Sequence, residues 1–91
     1  MPVTVRIPTQ LRELSGGAAE VKAEGATLAA VLADLEVSHP GFHERLFDDH
    51  GELRRFVNVF VADEDIRFLD GVNTDVTDGA TVSIVPAVAG G

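Results

Sequence analysis

Apolar and polar positions along the chain alternate in two different rhythms, and each rhythm predicts a different element. Val3, Val5 and Ile7 alternate with Thr4 and Arg6, the period of two expected of a half-buried strand, and Pro8 halts it. Thr9 to Ala18, with Ser15-Gly16-Gly17, reads as a turn or wide loop. Ala19, Val21 and Ala23 then alternate with Glu20, Lys22 and Glu24, the second arm of a hairpin that Gly25 breaks. Leu28, Val31, Leu32 and Leu35 follow at i, i+3, i+4 and i+7, one apolar stripe of an amphipathic helix with Thr27 as its N-cap. Ser38-His39-Pro40-Gly41 ends that helix. Phe42, Leu46 and Phe47 predict one or two further helical turns, and Asp48 to Glu52 a polar loop.

The last third returns to the strand rhythm. Phe56 to Ala62 is the most β-prone segment, with Val57, Val59 and Val61 on one face and Phe56, Asn58 and Phe60 on the other. Asp63-Glu64-Asp65 reads as a turn, Ile66-Arg67-Phe68 as a short edge strand, and Gly71 to Asp75 as irregular. Asp78-Gly79 makes a tight turn into Thr81–Val85. A hairpin, one main helix and three more strands fit an α+β fold in which a mixed sheet of four to five strands packs one face on the helix. The crossover sets the last strand beside the first, the β-grasp (ubiquitin-like) arrangement. Residues 1–86 form the expected domain and 87–91 a flexible C-terminal tail ending in Gly-Gly.

Composition narrows the function. With 91 residues there is one core. A domain this small buries only about 60–65% of its unfolded surface, which leaves little room for an internal active site. Seven basic and 15 acidic side chains give a net charge of -8, which argues against nucleic acid and anionic membranes and suits docking on basic protein faces. The chain has no cysteine, so disulfides, thiolate catalysis and Cys-based zinc sites are excluded. No apolar run approaches the ~20 residues that span a bilayer, and no leader pattern opens the chain, so a cytoplasmic location is expected.

Arg55-Phe56-Val57-Asn58-Val59-Phe60-Val61, Asp65-Ile66-Arg67, Asp78-Gly79 and the closing Pro86-Ala87-Val88-Ala89-Gly90-Gly91 resemble the ThiS/MoaD family of ubiquitin-like sulfur carriers, and within it the actinobacterial CysO type. The resemblance spans nearly the whole chain, least well over Thr9 to Ala19. It implies that Gly91 is adenylated by an E1-like adenylyltransferase and converted by sulfur transfer to a thiocarboxylate. That group then attacks an activated acceptor on a separate synthase, in the CysO type for cysteine biosynthesis. It also implies that ATP with Mg and pyridoxal phosphate are used by partner enzymes while none is bound here, and that a metallopeptidase releases the new cysteine. No catalytic side chain of its own is implied. Other clients share the same ending: molybdopterin synthase, thiamin thiazole supply or a secondary-metabolite enzyme. A protein modifier and a passive β-grasp interaction domain are further alternatives.

The chemistry of the ending agrees. A carboxylate is a poor electrophile until it becomes a mixed anhydride, and a chain without thiols can hold sulfur covalently only at its terminus. Pro86 lacks an N–H, so strand pairing is expected to fail there. Ala87 to Gly91 could then reach about 17 Å into a partner's channel, kept narrow by small side chains. Gly90 and Gly91 allow close backbone approach, Ala89 adds little width, and Val88 is placed to anchor the tail. A glycine-rich end is also what a frayed terminus looks like.

If Val82 and Ile84 face the core, Val85 lies on the open face of the sheet. Phe60, Val85 and Pro86 then form a docking patch beside the tail. The opposite phase, with Phe60 in the core and Val59 exposed, is also open to so apolar a run. His39 and His43 stand four apart, but Pro40 and Gly41 interrupt the helix between them and no third ligand is fixed, so polar surface is expected rather than a metal site. Asp63-Glu64-Asp65 is read as a solvated turn, and Gly16-Gly17 lacks the strand-to-helix context of a phosphate loop.

Overall fold

The computed structural model describes residues 2–54 and 57–86. Its strands are β1 (Val3–Arg6), β2 (Glu20–Ala23), β3 (Val57–Val61), β4 (Glu64–Asp65) and β5 (Thr81–Pro86), with helices α1 (Leu28–Ser38) and α2 (Phe42–Leu46) between β2 and β3. One sheet runs in the order β2-β1-β5-β3-β4. β1 and β5 are parallel neighbours, and the other pairs are antiparallel. The arrangement is the β-grasp expected from the sequence.

Each predicted apolar face meets one core. Val3, Val5 and Ile7, Val59 and Val61, and Val82 and Ile84 are buried against Leu28, Val31, Leu32 and Leu35 of α1 and against Phe42 and Leu46 of α2. Thr27 caps α1 by accepting the Ala30 N–H at 3.3 Å. Gly25 is required where β2 turns into α1, because a Cβ there would lie 2.6 Å from the Val31 nitrogen. Glu36 ties the two helices together: its carboxylate accepts the N–H groups of His43 (2.7 Å) and Gly41 (3.2 Å) at the start of α2.

Three local predictions change. Thr9–Ser15 is a 3-10 helix rather than a loop. Leu11 is buried in the core, and Ser15 donates its hydroxyl to the Ala18 carbonyl at 2.7 Å. Gly71–Asn73 is likewise a 3-10 turn. The edge strand lies at Glu64–Asp65, two residues before its expected place, and Ile66–Phe68 is a 3-10 turn. The cause is the hairpin turn. Ala62 and Asp63 both take positive φ (51° and 70°), the geometry of a two-residue turn, which pairs Val61 with Glu64 and Phe60 with Asp65 at once. Asp65 then accepts the Arg67 N–H at 2.8 Å and caps the following turn. Phe56, expected to open β3, lies outside the described residues.

Leu35→Ala removes a fully buried side chain between α1 and the sheet. It is expected to cost about 2–5 kcal/mol, read as a lower denaturation midpoint at unchanged slope. Backbone N–H donation from His43, then Gly41, holds the Glu36 carboxyl below its ordinary value of 4.5. A depressed carboxyl stabilises the fold above its unfolded pKa, and that contribution is lost as pH falls through the folded one. Glu36→Gln should therefore unfold more readily than the parent at neutral pH and converge with it only as the pH falls through the lowered folded pKa of Glu36, as followed by urea titrations from neutral to acidic pH.

Candidate functional site

The pattern of backbone hydrogen bonds decides where the sheet stops. Thr4 donates its N–H to the Ala80 carbonyl at 3.0 Å, and a parallel ladder then alternates donors between strands in steps of two. With Thr4 opposite Thr81 and Arg6 opposite Ser83, the sequence of donors is Val82, Arg6 and Ile84. The next would be Pro8 and the one after it Pro86, and neither has an N–H. The parallel pairing ends at Arg6 and Ser83 because two prolines occupy its next two steps.

On the other side of β5 the same logic acts differently. Ala62 donates to the Thr81 carbonyl at 3.0 Å, so alternation makes Val57 and Pro86 a pair without mutual hydrogen bonds. Pro86 therefore remains in the strand as its last paired residue, opposite Val57. The expectation that pairing fails at Pro86 is correct toward β1 and incorrect toward β3.

Where the β1–β5 ladder ends, the surface opens into a hollow of about 640 Å³. Arg6, Arg12 and Glu20 supply its charge, and Ser83, Val85 and Pro86 form the β5 side. Arg12 is held there by donating Nε–H to the Ile7 carbonyl at 3.0 Å, and the Gly17 N–H bonds the Arg12 carbonyl at 2.7 Å. Sequence reading missed this basic lining in an otherwise acidic protein, because it treated Thr9 to Ala18 as a loop. The spacing of Leu11, Leu14 and Ser15 was the available signal.

The phase of β3 is now fixed. Val59 is buried at 1% exposure and Val61 faces the same core, whereas Phe60 is half-buried on the opposite, open face. Asn58 is paired with Val85, and Phe60 with Ser83. Phe60 and the 45%-exposed Val85 therefore stand diagonally on one surface. Pro86, expected in the same patch, ends β5 opposite Val57 and so alternates onto the Val59/Ile84 face of the ribbon. Asp65, paired with Phe60, carries a bidentate ion pair to Arg67, whose shortest contact is 2.7 Å. The Arg67 guanidinium, by hydrogen bonding first, keeps the Asp65 carboxyl below the usual carboxylate range. Phe68, 87% exposed, stands in the turn beyond β4, a position the edge-strand reading did not single out. The expected tail residues Ala87, Val88, Ala89, Gly90 and Gly91 lie outside the described residues.

His39 and His43 pack on aromatic rings instead of converging. His43 stacks on Phe47 at 4.7 Å and His39 meets Phe42 edge-on at 6.4 Å. Among the described residues no group of three or more His, Asp or Glu side chains could hold a metal ion. Likewise among the described residues, no helix is long and apolar enough to cross a membrane.

Comparison with known proteins covers the same ground end to end. The chain is 54% identical to the sulfur carrier protein CysO of Mycobacterium tuberculosis over 93 aligned residues, covering 100% of both chains. Among solved structures, the crystal structure of the Amycolatopsis orientalis BexX/CysO complex contains a chain that superposes with a TM-score of 0.91 at 49% identity, covering 98% of this chain and 99% of that one. The crystal structure of Mycobacterium tuberculosis CysO superposes with a TM-score of 0.90 at 52% identity, covering 94% and 99%. Residues 5–91 match the ThiS family, and the chain, a β-grasp protein from β1 to β5, belongs to that family.

Proposed function

We propose that this protein is a sulfur carrier that works through the carboxylate of Gly91 and has no catalytic residues of its own. The observation that carries the reading is the extent of the likeness: the family match runs from Val5 through Gly91, and full-length relatives at 54% identity are sulfur carriers. The geometry supports it. β5 ends at Pro86 between an open apolar face and a hollow, so whatever follows Pro86 starts beside a surface a partner can grip.

In the proposed cycle an E1-like adenylyltransferase uses ATP with Mg. A carboxylate oxygen of Gly91 attacks the α-phosphorus, pyrophosphate leaves, and an acyl-adenylate forms. A sulfide-level donor attacks the acyl carbon as HS−, expels AMP and loses its proton to solvent, so that its sulfur stays on that carbon as a thiocarboxylate. This soft anionic nucleophile attacks an electrophilic carbon held by the accepting synthase and forms a thioester. Cysteine synthesis on a pyridoxal-phosphate enzyme is the proposed client, followed by a metallopeptidase that hydrolyses the new Gly91–cysteine bond and regenerates the carboxylate. Ala87, Val88, Ala89 and Gly90 serve as a narrow lead into these active sites, and Phe60 and Val85 as the grip, with Pro86 next to them at the end of the strand. A Val/Phe pair on a flat sheet face is suited to a partner's apolar pocket, where a few buried contacts carry most of the binding. The cytoplasm, which holds such partners, is the proposed location.

Incubation with an E1-like enzyme, ATP and a sulfur donor should exchange one oxygen of the intact protein for sulfur by mass. Deletion of Gly91 should abolish the exchange. Adducts on lysines of other proteins in place of the exchange would instead indicate a protein modifier. Phe60→Asp and Val85→Asp should each slow loading about 10-fold or more while leaving the circular dichroism spectrum unchanged, since truncating a docking anchor costs 2 kcal/mol or more. Unaltered loading in both would remove the open face from the docking site.

A further inference from the structure

β2 forms one outer edge of the sheet, on the far side from β3 and β4. Ile7 donates its N–H to the Ala19 carbonyl at 2.7 Å, which fixes the phase of the β1–β2 ladder. Residues 19, 21 and 23 turn their backbone groups toward β1, and Ala18, Glu20, Lys22 and Glu24 turn theirs outward. Both ends of that outward row are already occupied. Ala18 donates to the Ser15 carbonyl at 3.3 Å and accepts the Ser15 hydroxyl at 2.7 Å, and the Glu24 N–H bonds Asp34 Oδ2 at 2.9 Å. Only Glu20 and Lys22 keep both an N–H and a carbonyl without a hydrogen-bond partner among the described residues of this edge.

We infer that this edge pairs with the same edge of a second copy of the chain, antiparallel, about a two-fold axis at Val21. Three registers can be drawn from two free residues. Glu20 opposite Glu20, or Lys22 opposite Lys22, makes two hydrogen bonds and sets like charges face to face. Glu20 opposite Lys22 makes four hydrogen bonds, uses every free backbone group of the edge, and sets Glu20 of each copy beside Lys22 of the other on the open face. Opposite charges directly across an antiparallel pair stabilise it and like charges destabilise it. Val21 of both copies meets at the axis on the core-side face, where it is already half-buried.

Charged side chains on a short edge usually discourage pairing, but here their order along the strand is self-complementary. Lys22 reaches Thr4 Oγ1 at 2.6 Å and Glu20 lies 3.9 Å from Arg6, so both are already oriented on the open face. An edge this short buries less than the roughly 1,200–2,000 Å² of stable complexes, so the dimer is a weak, reversible one. Its axis stands perpendicular to the sheet. Both Phe60/Val85 faces therefore point to the same side, with β5 removed from the contact, and the dimer presents two docking faces to a two-fold partner.

Charge reversal tests this directly. Sedimentation of the full chain up to about 1 mM, where an interface of this size is populated, should show concentration-dependent dimerisation. Amide exchange should slow at Glu20 and Lys22 with rising concentration. Glu20→Lys and Lys22→Glu should each weaken association about 10-fold or more. An equimolar mixture of the two should restore it as a heterodimer, because both lysines of one copy then stand opposite both glutamates of the other. Both positions are exposed, so each variant should retain the parent's circular dichroism. A monomer across the whole range, association indifferent to the single reversals, or a mixture that fails to recover would each overturn the pairing. Protection of the two amides only on adding a partner enzyme would overturn it in favour of a partner's strand.

Discussion

Parallel pairing of β1 with β5 is the constraint on which the molecule depends. It places the last described strand at the centre of the sheet, between the hairpin on one side and β3 on the other. Val5 opposite Val82 sets both side chains into the core, and α1 and α2 cover that face because the crossover between the strands has nowhere else to pack. Up to Ser83 the strand is held by neighbours on both flanks, and from there to Pro86 by β3 alone.

The two prolines turn this ending into an opening. Pro8 deprives Ile84 of a donor and Pro86 has none to give back, so the sheet separates at that step and leaves the hollow lined by Arg6 and Arg12. On the β3 side the register tolerates Pro86, which keeps the strand straight to its last described residue. The result is a firm platform, apolar on the open face at Phe60 and Val85 and basic at the hollow, immediately before the residues to which the proposed chemistry belongs. The single small core is filled by aliphatic side chains and Phe42. On this reading partner enzymes supply the catalysis.

Much of this was legible because most of the apolar stripes have one consistent solution. The alternation at Val3, Val5 and Ile7, and the stripe from Leu28 to Leu35, each bury in the structure as written. The terminal motif and the strand from Val57 pointed to the family. The phase of β3 was not legible, because Val57 to Val61 is apolar on both faces apart from Asn58; pairing of Val59 with Ile84 settles it. The edge strand was misplaced because Ala62 is an unusual residue for a turn that requires positive φ at both positions, and Asp63, which suits one, fits equally a turn one step later. The 3-10 helix at Thr9–Ser15 was hidden by its glycines, although Gly16 serves as its left-handed cap. The half-tolerated Pro86 could be understood only after the register was known, since the same residue breaks one ladder and fits the other.

At the centre of the account stands a protein that spends its terminal carboxylate as a sulfur-bearing group, and discharge of that group tests it most directly. The thiocarboxylate form, prepared by sulfide cleavage of an intein fusion, should be mixed with an accepting synthase and its substrate in a single turnover. The account predicts that each chain gives up one sulfur to the product while its terminus either becomes joined to that product or returns to a carboxylate. A thiocarboxylate that persists unchanged with every candidate synthase, while the unmodified protein supports full synthesis from free sulfide, would contradict it.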